Sequence, residues 1–310
     1  MLPLLLPAGV ANAAEIKPVI VDTDIGDDID DAFALALLLR APEVSIEAVT
    51  TSFGNTTLRT RLVRRLLHQA GRDDIAVGTG PSTADSTRFT QAAWALTRPA
   101  APAPDAVALL LERLRAAPTG SITLIAIAPL STIGAAIARD PATFRRVRQV
   151  ILMGGSVRRG YGKVPGTTSA TPGNEYNIHS DPGDFRRLIE SGVAVVLMPL
   201  DATEVALPLA MRRDIFGQPD PADRALAALY AQWAANNPWG PVPVLFDVVP
   251  VAWLLDPSVC HPVPIRLAVL DSGATIEQPG AANVHACLDV DRARVLGLLT
   301  ERLKASPSAR

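Results

Sequence analysis

Between Val19 and Leu39 the chain reads VIVDTDIGDDIDDAFALALLL, and this segment limits what the protein can be more than any other. Val19, Ile20 and Val21 are β-formers that lead into Asp22, Asp24, Asp27, Asp28, Asp30 and Asp31, and an apolar run opens at Ala32. A buried strand, an acidic turn and a buried helix are expected in that order. Like charges crowded between two buried segments need a counter-charge. The positive end of a helix starting near Asp30 supplies about 0.3–1 kcal/mol per charge, too little for so many carboxylates. A hard divalent cation meets the need. Carboxylate oxygens suit Ca2+ or Mg2+, and no thiol or imidazole lies in the segment to select zinc or copper.

Three other readings fit less well. A solvated acidic loop would not be bounded by apolar runs on both sides. An EF-hand loop needs its ligands in a different phase around Gly26 and a closing bidentate Glu, which is missing. A phosphatase of the haloacid-dehalogenase type also uses strand-DxD, but wants Thr or Val where Gly26 stands.

The 310 residues, 48% of them apolar, can bury a large core. A net charge of −2 and a pI near 6.1 do not favour nucleic acid or an anionic membrane as partners. The basic clusters Arg61, Arg64, Arg65 and Arg145, Arg146, Arg148 read as outer faces of amphipathic helices. Cys260 and Cys287 have no metal-ligand spacing, and spacing alone does not say whether they pair. At the start, MLPLLLPAGVANAAE carries a short apolar core and the small-x-small pattern Ala11-Asn12-Ala13. That resembles an export signal without its basic residues, so residues 1–14 are set apart as a leader and residues 15–310 are read as a single domain. Export to a periplasmic or secreted location is the expectation, with the cytoplasm as the alternative. No later stretch reads as a membrane span.

Strand-like and helix-like segments alternate for about 200 residues, the rhythm of βαβ units. Strands are expected at Val19–Asp22, Ser45–Thr51, Ile75–Val77, Ser121–Ala126, Val150–Met153 and Val193–Met198. Helices are expected at Ala32–Leu39, Leu58–Gln69, Asp105–Ala116, Ile133–Arg139 and Pro182–Glu190. The C-terminal third adds a helix near Ala222–Asn236, a strand Ile265–Val269 and a strand-helix unit from Val284 to Leu303. The fold class is therefore α/β, Rossmann-like, a mostly parallel sheet with helices on both faces and C-terminal helical additions. Ligands in such sheets bind beyond the carboxyl ends of the strands, which puts the aspartate turn in the crevice. Two Gly/Pro-rich stretches, Gly78–Pro104 and Arg158–Pro172, are long enough to be lids or binding loops.

The opening motif resembles the aspartate fingerprint of the inosine-uridine-preferring nucleoside hydrolases. LIAIAPLSTIGAAI is similar to that family's segment around GPLTN, VILMGG (Val150–Gly155) to its strand ending in MGG, and NEYNIHSDP (Asn174–Pro182) to its E-x-N followed by DP. LFDVVPVAWLLDP (Leu245–Pro257) resembles its late metal-binding segment. The five stand in family order. The resemblance implies hydrolysis of the N-glycosidic bond of ribonucleosides by a water on a tightly held Ca2+, with a nucleoside as small-molecule partner, neither nucleic acid nor membrane, and a dimeric or tetrameric homo-oligomer. It implies metal ligation by Asp24, Asp31, Asp247 and the Ser131 backbone carbonyl, ribose binding by Asp30, Asn55, Glu175 and Asn177, and Met153 against the sugar. Asp24 beside the water is the implied base. Glu175 and Asn177 flank Tyr176 and would point the same way on an extended segment.

Three departures qualify the match. The turn is two residues longer than usual, so Asp28 is an alternative ligand. Phe246 stands before Asp247, where purine-preferring members carry a proton-donating His, and Phe has no proton to donate. The HG-x-x-G segment is missing from Gly78–Pro104. Tyr230, Trp233, Trp239 and His179 are the candidates for the base side. Without a donor at 246, activated ribosides should outpace inosine by about 100-fold or more. A nucleoside- or ribose-binding protein with weak turnover is the alternative function.

Overall fold

A computed structural model describes residues 16–84, 87–97 and 102–305; the leader 1–14 lies outside them. The chain runs from β1 (Lys17–Thr23) through the acidic turn into α1 (Asp30–Leu39), then β2 (Val44–Thr51), α2 (Thr56–Gln69) and β3 (Val77–Thr79). After α3 (Ala92–Leu96) and α4 (Ala106–Ala116) come β4 (Thr123–Ile127), α5 (Ser131–Arg139), α6 (Pro141–Phe144) and β5 (Gln149–Met153). A hairpin of β6 (Gly160–Tyr161) and β7 (Thr168–Ser169) precedes α7 (Tyr176–Ser180), α8 (Pro182–Glu190) and β8 (Val195–Met198). The remainder holds α9 (Leu200–Thr203), α10 (Leu209–Phe216), α11 (Pro221–Asn236) and α12 (Val248–Leu255), followed by β9 (Val263–Val269), β10 (Thr275–Gln278), β11 (Val284–Ala286) and α13 (Arg292–Lys304).

Among the described residues the main sheet has the order β10-β9-β11-β8-β5-β4-β1-β2-β3. The strands from β11 to β3 in that order pair in parallel, while β9 and β10 add an antiparallel edge. The order reverses at β1, whose neighbours are β2 and β4. A crevice therefore opens between the carboxyl ends of β1 and β4. Side chains of β1 alternate, as a strand covered on both faces must: Val19 and Val21 enter one core layer and Ile20 the other. Helix α1 is buried almost throughout because the sheet lies on one side and α11, α12 and α13 on the other. That explains its unbroken apolar run.

Two segments, Tyr176–Ser180 and Gly78–Pro104, differ from expectation, and a third, Val248–Leu255, carried none. Tyr176–Ser180 is helical, so Glu175 and Asn177 do not alternate on a strand; Glu175 keeps extended angles as the N-cap and Asn177 lies in the first turn. Val248–Leu255 is a helix despite Pro250, which sits in the first turn, where the missing N–H has no intrahelical partner to lose. The Gly78–Pro104 stretch contains α3, whose Trp94 is buried under the Arg65 guanidinium at 3.9 Å. Arg65 is thus a packing residue rather than a purely solvated one. No helix among the described residues is long and apolar enough to cross a membrane.

Cys260 and Cys287 form a disulfide across a separation of 27 residues, tying the end of the 3-10 turn Pro257–Val259 to the end of β11. Both are buried. Reduction is expected to cost about 2–4 kcal/mol through the unfolded chain's regained freedom. Denaturant midpoints with and without reductant check this, and identical midpoints would remove the bridge from the stability of the fold.

Candidate metal and sugar site

The acidic turn leaves β1 at its carboxyl end, and each aspartate meets a different environment. Asp22 is fully buried and accepts bonds from Thr50 Oγ1 at 2.6 Å and Ser52 Oγ at 2.7 Å, so it joins the ends of β1 and β2. Burial pushes its pKa up to about 7, against those two bonds. Asp30 and Asp31 open α1, and Ile29 before them provides no side-chain cap. Thr23 Oγ1 donates to Asp31 Oδ1 at 2.5 Å, and the Asp247 N–H donates to Asp30 Oδ2 at 3.1 Å. Asp247 itself precedes α12, again without a side-chain cap. Two packed helix N-termini thus meet carboxylate to carboxylate. One oxygen from each of Asp30, Asp31 and Asp247 lies within 4.8 Å of the others, and all three residues are buried.

Burial, then repulsion from neighbouring aspartates, pushes all three carboxyls well above the ordinary range. Asp24 is pushed up to about 8, chiefly by burial, with Arg59 opposing and Asp27 adding to the shift. Asp24 is outside the set of three but close enough to raise both Asp31 and Asp247. Such a cluster holds its protons at neutral pH or exchanges them for a cation. An all-oxygen set of this kind fits a hard divalent ion. The geometry adds Asp30 to the ligand candidates beside Asp31 and Asp247.

The two extra residues of the turn have partners of their own. Asp27 pairs with Arg59 Nη2 at 2.7 Å. Arg59 is 1% exposed, and also donates to the carbonyls of Phe53 at 2.8 Å, of Ile25 at 3.3 Å and of Asp24. Asp28 accepts from its neighbour Ile29 N–H at 2.7 Å and from the Trp233 indole, and burial pushes it up to about 6. It is not one of the three gathered carboxylates. Arg59 was hidden in the sequence, because a helix rich in arginine gives no hint which one turns inward.

On the sugar side, Ser131 opens α5 and its hydroxyl accepts from Phe53 N–H at 3.3 Å. Phe53 has φ +62°, a left-handed conformation costly for a bulky residue. Met153 ends β5 and is buried. Glu175 Oε2 accepts from Gly155 N–H at 2.8 Å and Ile178 N–H at 3.1 Å, and Oε1 accepts from Asn177 N–H at 2.8 Å. It is locked between the MGG turn and α7. Asn177 Nδ2 donates to the Met153 carbonyl at 3.2 Å. Asn55 is exposed and caps α2 by accepting from Leu58 N–H at 3.0 Å. It lines a cavity of about 390 Å3 beside the turn, together with Asp27, Thr83, Thr87 and Phe89, whose lining includes none of the three gathered carboxylates.

Of the base-side candidates, Tyr230 and Trp233 adjoin on α11, with ring centroids 5.9 Å apart. Tyr230 accepts from Arg212 Nη1 at 2.6 Å, donates to the Pro241 carbonyl at 2.9 Å and stacks on Phe216 at 4.8 Å, so it serves the α10–α11 layer. His179 Nδ1 meets the Ser272 carbonyl at 2.8 Å, pinning α7 to the turn between β9 and β10. Trp233 is buried core holding Asp28, and Trp239 is 82% exposed. Phe246 instead meets Tyr161 of β6 edge-on, with ring centroids 6.0 Å apart. The Tyr161 hydroxyl accepts from Tyr176 N–H at 3.2 Å, and Tyr176 meets Phe53 edge-on and pairs with Thr87 through its hydroxyl at 3.0 Å. Sequence reading missed Tyr161 and Tyr176 for this rim; the only available signal was a Gly-Tyr-Gly step in a polar stretch.

Residues 19–297 match the family model described as inosine-uridine preferring nucleoside hydrolase. The chain is 29% identical to the pyrimidine-specific ribonucleoside hydrolase RihA of Citrobacter koseri, over 92% of this chain and 97% of that one. It is similar in structure to a plant nucleoside hydrolase, with a TM-score of 0.79 and 27% identity over 94% of this chain and 99% of that one. A purine-preferring ribonucleoside hydrolase from Gardnerella vaginalis shares the fold, with a TM-score of 0.77 at 22% identity over 93% and 98% of the two chains.

Proposed function

This chain belongs to the inosine-uridine preferring nucleoside hydrolase family, and from that premise we propose that it is a Ca2+-dependent hydrolase of pyrimidine ribonucleosides. Hydrolysis of ribonucleosides at the N-glycosyl bond is the family's activity; the calcium, the base and the residues are our reading. The observation that carries it is the convergence of Asp30, Asp31 and Asp247 from two helix N-termini. We place Asp31 and Asp247 at the ion, with the Ser131 carbonyl and Asp24 beside them. Bound there, calcium would hold ribose hydroxyls and acidify a water.

Asp24, ionised once the cation is bound, would take the proton of the attacking water. Glu175, immobilised by its backbone bonds, and Asn177 fix the ribose. Asp30 faces the same hydroxyls and offsets positive charge as the anomeric carbon loses its base. The pyrimidine preference rests on relatives such as the Citrobacter koseri enzyme. It also rests on Phe246, which has no proton for a leaving purine. The buried disulfide and the apolar leader support an oxidising compartment outside the cytoplasm.

Metal analysis of protein purified without added metal, beside a panel of uridine, cytidine and inosine, tests the reading. About one calcium per chain and faster pyrimidine turnover are expected. Zinc in the site, or activity that survives chelation, would defeat it.

Protons should compete with the ion. Asp24, pushed up to about 8, stays protonated in the ion-free protein until that pH, and the gathered carboxyls are raised in the same direction, whereas the ion needs them ionised. Apparent calcium affinity therefore climbs from pH 6 to 8. By the same linkage the ion-free fold, which binds more protons than the unfolded chain, loses stability as pH rises through this window. Calorimetric titration at several pH values checks the first effect, and a flat profile would contradict it.

A further inference from the structure

The hairpin of β6 and β7 brings Tyr161 to the rim of the site and holds it there. Tyr161 stands between Gly160 and Gly162. A Cβ on Gly160 would lie 2.6 Å from the Thr171 carbonyl oxygen, and one on Gly162 would fall on Thr167. The hairpin therefore closes tightly only with glycine on both sides. Below it, Glu204 is buried and accepts from Gly162 N–H at 3.4 Å, fixing the turn to the end of α9. The Tyr161 ring rests edge-on against Phe246, one residue before Asp247. Its oxygen accepts from Tyr176 N–H, the residue after Glu175. Among the described residues, its own proton goes to no acceptor. The hydroxyl thus lies between the elements that carry the carboxylate cluster and those that carry the sugar side, with a proton to give.

We propose that Tyr161 is the base-side hydrogen-bond donor of this enzyme, contacting a ring carbonyl of the departing pyrimidine where Phe246 offers nothing. The proposal rests on the hydrolase reading above and deepens it. As the N-glycosidic bond breaks, the bonding pair leaves with the base and its carbonyl oxygen gains negative charge. The Tyr161 O–H donates to that oxygen and keeps its proton. Water adds its oxygen to the anomeric carbon, and the proton it loses to a carboxylate reaches the base through solvent. A tyrosine phenol ordinarily titrates near 10, and partial desolvation of a side chain that is still 43% exposed, then the nearby Glu175 charge, push it higher. It therefore remains a neutral donor throughout the working range.

Tyr161→Phe keeps the ring against Phe246 and removes only the hydroxyl. Uridine and nitrophenyl riboside are compared on the parent and the variant, with calcium content measured on both. The variant should lose about 10- to 100-fold in kcat on uridine, the size of a hydrogen bond to a developing charge. Its KM should change little, and its turnover of nitrophenyl riboside should stay within about threefold, because nitrophenolate leaves unaided. Unchanged uridine turnover, or equal losses on both substrates, would overturn the proposal. A calcium-loaded parent inactive on both substrates would defeat the hydrolase reading itself.

Discussion

Asp31→Ala is expected to strip the calcium and lower turnover by roughly 1,000-fold or more, the worth of several kcal/mol of metal-assisted charge stabilisation. Asp31 is buried, opens α1 and is common to the ligand set suggested by sequence and the set gathered by the fold. Its loss leaves Asp30 and Asp247 facing each other without the third carboxylate. The discriminating control is Asp27→Ala. Asp27 spends an oxygen on Arg59, so its removal should leave calcium affinity within a few-fold of the parent while costing some stability. Asp28→Ala should resemble the control, since Asp28 is held by Ile29 and Trp233. Calcium titrations on the three variants decide the register of the lengthened turn. Retention of the ion by Asp31→Ala with loss in Asp27→Ala would shift the assignment by a whole helical turn.

Arg59→Met should destabilise the fold by about 3–5 kcal/mol, the usual cost of stranding one member of a buried ion pair. For a chain of this size that is a fall in melting temperature of roughly 6–20 °C. Arg59 neutralises Asp27 and satisfies the carbonyls of Asp24, Ile25 and Phe53, so three groups of the turn and one beyond β2 lose a partner at once. Adding Asp27→Asn to Arg59→Met should recover part of the loss, because the uncompensated charge is then gone. Calorimetric melting of the two single variants and the double variant measures this coupling. Additive losses would mean that the Arg59–Asp27 pair does not hold the turn.

The β1–turn–α1 unit was legible because its apolar flanks and its charges point the same way. The alternation of β4, α5, β5, α8 and β8 was legible because each segment carries one clear period. Helix α8 is found at Pro182–Glu190, as expected, since Asp181 caps it and Pro182 starts it. Other features were not legible. Helix α7 is five residues long, too short for a helical period to show against the alternation of Glu175, Tyr176 and Asn177. Of the site, Asp24, Asp30, Asp31 and Asp247 could be named from motifs. The inward turn of Arg59 and the approach of Tyr161 to Phe246 depend on contacts between distant segments, which no local pattern encodes. The partners of Tyr230 and His179, the Pro241 and Ser272 carbonyls, were hidden for the same reason: aromatic or imidazole chemistry was visible, direction was not.

The bond from Asp247 N–H to Asp30 spans 217 residues of chain. Two of the three gathered carboxylates are therefore made early in synthesis, and the third only after most of the domain has left the ribosome. Closing so long a loop is entropically costly and slow, and the rest of the sheet must form around it first. An ion bridging the two helix starts is accordingly a late arrival: it cannot seed the fold, but it can bolt it shut. Its effect should then lie in how slowly the native protein opens rather than in how quickly the nascent chain collapses.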